Sequence, residues 1–506
     1  MIGLLLSIPI AAAAASFAPV RAAMRRAILV IAAAAHTALT AQAWLARPVP
    51  APGAWLGIDD ASLLFLSVTS ALFLAASISL VGYLAREAPR HADFEEEGFF
   101  TNSPEARFVG CLLLFLATMT LVAISRHFGL LWVAIEATTL ASAPLIYFHR
   151  HHRSLEATWK YLLICSVGIA LALLGNFFLA VAAKGAPGPH LTAGHLLEGA
   201  AALNPIWLKG AFLLLLVGYG TKMGLAPMHN WLPDAHSEAP SGVSALLSGA
   251  LLNCAFLGIL RAHSVVAAAG LGDFSRPLLI LFGLLSMGVA ALFMIEQTDY
   301  KRLLAYSSVE HMGVLALGAG IGGLAGGGAM LHAVNHSLAK AMLFLLAGNI
   351  LAAYRTKNAG KVSGLTRGLP ATGALWIAGF LAIAGSPPFG LFNSELMILK
   401  GALQSGRYAI AAGYLLALGI VFAAMSKTVL AMCYGRKDGA DCPLDSTDSR
   451  RADKSAAIAP PPHAPEPAAS ILPPLALGAV SLTLGLYVPQ ALWQAIAGAA
   501  RLLGVD

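Results

Sequence analysis

The sequence has few charged residues and no pair of cysteines at the spacing that binds a metal cluster. Only 11% of its 506 residues are charged and 58% are hydrophobic, whereas about 25% of a soluble domain is charged. The five cysteines (Cys111, Cys165, Cys254, Cys433 and Cys442) are scattered, without a Cys-x-x-Cys motif. This composition excludes an ordinary soluble fold and predicts a membrane chain that carries no metal and no cofactor.

Long apolar runs predict an all-α integral membrane protein with about 14 transmembrane helices. The runs are too continuous for the alternating strands of a membrane barrel. The first run lacks the basic region of a signal peptide and is predicted to be a retained helix. The predicted spans are residues 2–20, 27–46, 61–84, 107–125, 127–148, 158–183, 207–226, 241–261, 277–295, 303–325, 329–353, 370–400, 407–433 and 470–498.

The placement of the basic residues predicts the orientation in the membrane. If both termini lie outside, most of the 32 Lys and Arg residues fall in the inner connections, as they do in cytoplasmic loops. This pattern predicts a multi-pass protein of a bacterial inner membrane. Residues 435–468, rich in Pro, Asp and Ser, are predicted to form a flexible cytoplasmic linker before the last helix.

Two predicted spans are interrupted at corresponding positions. Residues 222–233 contain two prolines, and residues 385–395 contain the pair Pro387-Pro388. Broken helices at matching places in two halves are typical of transporters with inverted repeats. The predicted organisation is N-terminal transmembrane helices (1–100), a first half-channel (101–262), a second half-channel (263–434), the linker (435–468) and a C-terminal transmembrane helix (469–506).

Ionisable residues recur inside the predicted spans, although each costs about 2.5–3.5 kcal/mol at bilayer depth. One such residue can be explained by a structural ion pair or by a side chain that reaches the membrane surface, which is the favoured explanation for Lys427. A series of them favours an ion pathway instead. The series consists of Glu136, Lys222, Glu310, His311, His332, His336, Lys340, Glu395, Lys400 and Lys427.

The spacing of His332, His336 and Lys340 places all three on one face of a helix, about 6 Å apart per step, which suits a proton relay through water. Two alternatives remain open: histidines that are satisfied within the core, and a metal site. The metal site lacks a His-Glu-x-x-His motif and an obvious third ligand. Glu136 and Lys222 are the predicted charge pair, and the helix break beside Lys222 predicts a hydrated cavity.

Three motifs carry a resemblance to a known family. Residues 218–242, residues 299–313 and the His332-x3-His336-x3-Lys340 pattern resemble the antiporter-like subunits of respiratory complex I, Mrp-type sodium/proton antiporters and membrane-bound hydrogenases. Residues 132–142, 159–170 and 244–255 resemble hydrogenase-4 component F, a subunit of formate-hydrogenlyase-type group 4 complexes.

The resemblance implies roles for individual residues. Glu136 and Lys222 would be the paired charges of the first half-channel, His332, His336 and Lys340 the central axis, and Glu395 the acid near the exit; Glu310 and Lys400 belong to the same series. Many relatives carry a second channel lysine where this sequence has Asn253. A water wire or another group, such as His229, would then replace that lysine, or pumping is lost.

The sequence therefore predicts a non-redox subunit that conducts protons, with sodium as the alternative ion, and that has no catalytic centre of its own. The predicted partners are the other membrane and hydrophilic subunits of a group 4 hydrogenase or a complex like NADH–quinone oxidoreductase, together with the lipid bilayer and without nucleic acid. The alternatives are a stand-alone cation/proton antiporter, a scaffold with inert charges, and an intramembrane metal-dependent enzyme built around the histidines and Glu310.

Overall fold

The computed structural model describes residues 1–47, 50–51, 53–87, 90–92, 99–185, 191–435 and 466–503. Cys442 and all but the two ends of the predicted linker 435–468 lie outside the described residues. The described chain is almost entirely helical, as the apolar runs predict.

The described residues up to Leu246 form ten α-helices. They are α1 (Ile2–Phe17), α2 (Ala22–Ala46), α3 (Asp60–Arg86), α4 (Glu105–Ile124), α5 (Phe128–Ile146), α6 (His152–Ala182), α7 (Ala193–Glu198), α8 (Pro205–Met223), α9 (Trp231–Glu238) and α10 (Ser241–Leu246). A π-helical turn, Leu247–Leu251, joins α10 to the next helix without a break in the chain direction.

The second part of the chain forms ten more helices. They are α11 (Leu252–Ala268), α12 (Gly272–Met294), α13 (Tyr300–Ile321), α14 (Gly323–Tyr354), α15 (Leu365–Gly368), α16 (Pro370–Ile383), α17 (Gly390–Gln404), α18 (Tyr408–Tyr434), α19 (Ala468–Leu486) and α20 (Gln490–Ala500).

Three short antiparallel strands among the described residues connect two loops, an element that the sequence did not predict. They are β1 (Arg90–Ala92), β2 (Phe99–Asn102) and β3 (His149–Arg150). Strand β2 lies in the middle, and its Asn102 pairs with His149 of β3. The strands hold the connection after α3 against the connection between α5 and α6.

Polar side chains fix where several spanning helices begin. Asp59 accepts a hydrogen bond from the backbone N–H of Ser62 at the start of α3, at 2.8 Å. Asn204 accepts a hydrogen bond from the backbone N–H of Ile206 at the start of α8, at 3.0 Å. Asp299 accepts one from the backbone N–H of Lys301 at the start of α13, at 2.7 Å. Each cap satisfies an N–H group that the helix itself leaves unpaired and so fixes the residue at which the helix begins.

Among the described helices, 11 are long and apolar enough to cross a membrane. The other three predicted spans also fall on helices: run 2–20 on the shorter α1, run 303–325 on the more polar α13, and run 370–400 on α16 and α17. The last predicted span, 470–498, is divided: α19 ends at Leu486, and α20 begins at Gln490. The chain is a multi-pass integral membrane protein.

Both predicted helix breaks are present. The first separates α8 from α9, where Gly224 caps α8 with a φ of 81°, and the second separates α16 from α17 around Gly385, with a φ of 62°. A side chain at these backbone angles would be strained, which accounts for glycine at both positions.

The centre of the bundle is formed by the helices that carry most of the ionisable residues. The segment from α10 to α11 is buried on all sides from residue 242 to residue 266, and α13 is buried continuously from residue 307 to residue 321. Polar groups on these segments must therefore find their partners on neighbouring helices or in enclosed water.

Candidate functional site

Lys222, near the end of α8, is fully buried and is held by hydroxyl groups. Its Nζ donates to the Oη of Tyr161 at 2.5 Å and to the Oγ1 of Thr139 at 2.8 Å. The ammonium also lies 4.4 Å from the ring centroid of Tyr161, within the range of a cation–π contact. The charge is therefore stabilised without a carboxylate at contact distance.

Glu136 and Lys222, the predicted charge pair, are not in direct contact in this structure. Within the described ranges, no carboxylate oxygen lies within 4.0 Å of Lys222 Nζ. Glu136 is half-buried, and its Oε1 instead accepts a hydrogen bond from Ser166 on α6 at 3.3 Å. Thr139, which holds Lys222, lies one helical turn after Glu136 on α5, so the two residues share a face of this helix.

The helix break beside Lys222 is closed partly by side chains. The indole N–H of Trp231 donates to the carbonyl of Thr221 at 2.8 Å, and the backbone N–H of Ala226 donates to the Oγ of Ser286 at 2.9 Å. Side chains of α9 and α12 therefore form part of the hydrogen bonds that the broken helix leaves open, so water is not required for all of them.

Asn253 follows the π-helical turn directly and links two helices of the core. Its Nδ2 donates to the carbonyl of Gly249 at 3.0 Å and to the Oγ of Ser337 on α14 at 2.7 Å. Its Oδ1 is buried and has no partner among the described residues, which favours an enclosed water at this point.

His229 lies apart from Asn253. Its ring packs against Phe293 and Tyr306, with ring centroids 6.3 Å away in both cases. The amide of Asn253 has different neighbours, on α14. Of the two alternatives, water or His229, the contacts therefore favour water beside Asn253.

The second half of the site is a compact group of histidines. Nδ1 of His311 lies 3.1 Å from Nε2 of His332, and the ring of His336 lies 5.1 Å from that of His311 between centroids. All three rings are buried. Lys340 is fully buried two turns after His332, and its Nζ donates to the carbonyl of Leu304 at 2.8 Å.

Two carboxylates flank these histidines. Glu310 Oε2 lies 3.2 Å from Nε2 of His311. Glu395, on α17, is buried against the second helix break, where a side chain at Gly385 would meet its carboxylate. Lys400, five residues further along α17, is exposed, so the structure does not place it in the buried group with Glu395.

The sequence does not predict every contact of this site. His311 belongs to the predicted series of ionisable residues, but neither its spacing nor the resemblance indicates a separate role for it, although it adjoins Glu310 in the sequence. Tyr161 and Thr139 around Lys222, and Ser394 beside His332, give no signal in the sequence because hydroxyl residues are common in membrane helices.

A cavity of about 570 Å³ lies at the ends of α3 and α14 on the predicted inner side. Lys301 lines it, and so does Glu238, which accepts a hydrogen bond from Lys357 at 2.7 Å. Burial raises the pKa of Glu238, but Lys357 and His151 outweigh burial and hold that pKa below its usual value. This cavity brings charged groups and space for water to the end of the bundle.

A bundle of spanning helices with two broken helices and a buried row of lysines, histidines and carboxylates defines a membrane protein of the antiporter-like class. Residues 125–421 match the family described as NADH:quinone oxidoreductase/Mrp antiporter, TM, and the chain belongs to this family.

Individual relatives agree with this assignment. The chain is 37% identical over 403 residues to the hydrogenase-4 component F homolog of Methylacidiphilum infernorum (isolate V4), covering 78% of this chain and 82% of the relative. It is 29% identical over 420 residues to hydrogenase-4 component B of Escherichia coli (strain K12), covering 80% of this chain but only 59% of the length of that relative.

The fold is shared with solved structures. A chain in the structure of the Mrp complex from Dietzia sp. DQ12-45-1b superimposes with a TM-score of 0.81, covering 99% of this chain and 97% of that one. The sequences are 23% identical, so this likeness establishes the fold alone.

Proposed function

We propose that this chain is the ion-translocating membrane subunit of a redox-driven, multi-subunit complex of the group 4 hydrogenase or NADH–quinone oxidoreductase type. The observation that carries the proposal is the buried series from Lys222 through Asn253 to the histidines and Glu395, which crosses the interior of the bundle. The ion is the proton, with sodium as the alternative.

The first half-channel, residues 101–262, centres on Lys222. Its ammonium is bound by two hydroxyls, and hydroxyl groups both donate and accept protons. A change of charge at Glu136, one helical turn from Thr139, would alter how strongly Lys222 holds its proton. The arrangement supports proton loading that responds to charge, without requiring a direct ion pair.

The second half-channel, residues 263–434, continues the path. Asn253 joins α11 to Ser337, which directly follows His336 on α14. From His336 the rings of His311 and His332 lead towards Glu395. Imidazole accepts a proton on one nitrogen and releases one from the other, so neighbouring rings form a relay in which water bridges the remaining gaps.

The electron-transfer chemistry would take place in partner subunits. The names of the relatives as hydrogenase-4 components support an assembly with other membrane and hydrophilic subunits. The basic residues of the predicted inner loops support a location in a bacterial inner membrane, with both termini outside. Residues 435–468 would then be a cytoplasmic linker before the C-terminal membrane segment, residues 469–506.

The test is the pair of substitutions Lys222→Ala and Lys222→Met. Both remove the buried charge, and methionine also preserves most of the side-chain volume, so a packing effect is separated from a charge effect. We expect activity-linked pH changes in vesicles to disappear in both variants while the complex still assembles.

The matched control is Lys427→Ala, which removes an exposed lysine from α18 and should leave pumping unchanged. Normal pumping in both Lys222 variants would overturn the proposal. Measurement in sodium-free buffer distinguishes proton transport from sodium transport.

A further inference from the structure

Three buried side chains from different helices direct ligand atoms towards one point. They are His311 on α13, His332 on α14 and Glu395 on α17, and their ligand atoms all lie within 4.8 Å of one another. The spacing of residues in the sequence indicates no third ligand for a metal in this region. The fold supplies Glu395 because α17 packs against α14 beside the second helix break.

One nitrogen of each histidine has a polar neighbour other than the partner ring. Nδ1 of His332 forms a hydrogen bond with the Oγ of Ser394 at 3.1 Å, which leaves Nε2 for a ligand. Nε2 of His311 lies 3.2 Å from the carboxylate of Glu310 without forming a hydrogen bond with it. In zinc sites, a ligating histidine commonly gives its second nitrogen to such a carboxylate or polar partner, which fixes the ring.

The two nitrogens by which the rings face each other are near a suitable separation. Nδ1 of His311 and Nε2 of His332 are 3.1 Å apart. Two nitrogens bound to one tetrahedral zinc ion at about 2.0–2.1 Å would lie about 3.3 Å apart. Binding would turn both rings so that these nitrogens face the ion instead of each other, and it would draw in the Glu395 oxygen, which lies within 4.8 Å of them.

The charge at this point favours a divalent cation. Glu395 supplies a carboxylate whose Oε1 is buried without a hydrogen-bond partner among the described residues, and Glu310 supplies a second carboxylate behind His311. Two histidines and a glutamate form a ligand set that zinc proteins use. His336, whose nitrogens have no partner in the described ranges, lies near enough to His311 to complete the coordination, or water does so.

We propose that His311, His332 and Glu395 form a reversible inhibitory site for Zn²⁺. A nitrogen that binds the ion has no lone pair left for a proton, so the metal would interrupt the path between His336 and Glu395. The inhibitory effect rests on the proposed function, whereas the binding site itself does not.

Binding is tested on the purified complex, incubated with Zn²⁺, freed of excess metal and analysed for zinc per chain. We expect one zinc more than in an untreated sample, and its removal by a chelator. His332→Gln and Glu395→Gln should each lose this zinc. His263→Gln, which changes another buried histidine on α11, is the matched control and should keep it.

Two measurements cover the case in which a ligand variant does not assemble. Ser394→Ala leaves every ligand in place but removes the partner of His332, and it should weaken zinc binding by about 10–100-fold. Co²⁺ in place of Zn²⁺ should give the visible absorption of a tetrahedral site in the unmodified complex. No added zinc in the unmodified complex, or equal zinc in the control and both ligand variants, would overturn the site.

Transport is measured separately on the same preparations. Micromolar Zn²⁺ should stop activity-linked pH changes and a chelator should restore them, whereas Ser394→Ala should require about 10–100-fold more Zn²⁺ for the same effect. Stoichiometric zinc that leaves transport unchanged would overturn the inhibitory role. A complex that does not pump at all would contradict the proposed function. The number of zinc ions bound per chain would then still decide whether the site exists.

Discussion

The amide of Asn253 donates a hydrogen bond to the hydroxyl of Ser337 at 2.7 Å and so joins α11 to the helix of the central histidines. The unpartnered Oδ1 on the same side chain favours a water molecule at that point. Position 253 is therefore a polar link between the two halves of the site.

Replacement of this residue by lysine tests whether the position is hydrated. In a hydrated site, Asn253→Lys should assemble and retain pumping, because water can solvate the new ammonium. In a dry site, the charge would cost several kcal/mol and should prevent assembly. Assembly is followed by the yield of intact complex and pumping by pH changes in vesicles, with Asn253→Leu as an uncharged control of similar size.

Substitutions at Glu136 test its control over Lys222. Glu136→Gln keeps the size and removes the charge, so it should abolish coupled pumping, and Glu136→Asp should have a milder effect because it keeps the carboxylate. Initial rates of vesicle acidification provide the measurement. Ser166→Ala, which removes the hydrogen-bond donor to Glu136, is the control for a local packing effect. Equal rates in the Gln variant and the unmodified complex would contradict the coupling.

The histidine face should respond unequally to substitution. Water and a neighbouring ring can bridge one lost imidazole, so His332→Gln or His336→Gln should slow proton transfer roughly fivefold, equivalent to about 1 kcal/mol. No neighbour replaces the charge of Lys340, so Lys340→Ala should slow transfer by roughly 10²-fold or more.

Chelation distinguishes this relay from a metal-dependent enzyme. Without added metal, chelators should leave the transport rate unchanged. Transport that is lost on chelation and restored by zinc would contradict the relay. In that case zinc would raise the transport rate, whereas the proposed inhibitory site predicts that added zinc lowers it. Both rates are measured on the same vesicles.

An ion pair on the predicted outer side should make stability depend on pH. Asp59 accepts hydrogen bonds from Arg261 at 3.1 Å and from Ser62. Burial raises the pKa of Asp59, but Arg261 and the Ser62 bonds outweigh burial and hold that pKa below its usual value. The depressed pKa means that the pair stabilises the fold above the ordinary pKa of aspartate, about 3.9, and that this contribution is lost as pH falls through the folded-state pKa.

Asp59→Asn should therefore lower the apparent melting temperature in detergent at pH 7, by an amount equivalent to about 1–2 kcal/mol. The loss should be smaller than for a fully buried pair, because the Asp59 side chain is 25% exposed. The difference between variant and unmodified protein should shrink as pH falls towards 3. A constant difference across this range would show that the charge of Asp59 is not responsible.

Local features of the sequence predicted much of the fold. The two breaks follow from proline and glycine within apolar runs, and both are present between α8 and α9 and between α16 and α17. His332, His336 and Lys340 share a face because their spacing matches the helical repeat. These properties depend on neighbouring residues in the chain.

Contacts between helices could not be predicted in the same way. Spacing within one helix does not specify which side chain of another helix lies opposite, or how each helix is rotated. Lys222 therefore meets Tyr161 and Thr139 rather than Glu136, and His332 meets His311 and Ser394 from two other helices. Glu395 becomes a third potential ligand through packing alone.

The π-helical turn at Leu247–Leu251 has a consequence for comparing this chain with its relatives. A π turn holds one more residue than an α turn, and each residue of a helix advances about 100° around the axis. Deletion of a single residue from this turn would therefore rotate Asn253 away from Ser337 while leaving both helices intact. A sequence alignment that omits or adds one residue here would match Asn253 to a residue of the relative that points in a different direction. The residue that lies opposite the central histidines is therefore identified by superposing the backbones and not by counting residues from Lys222.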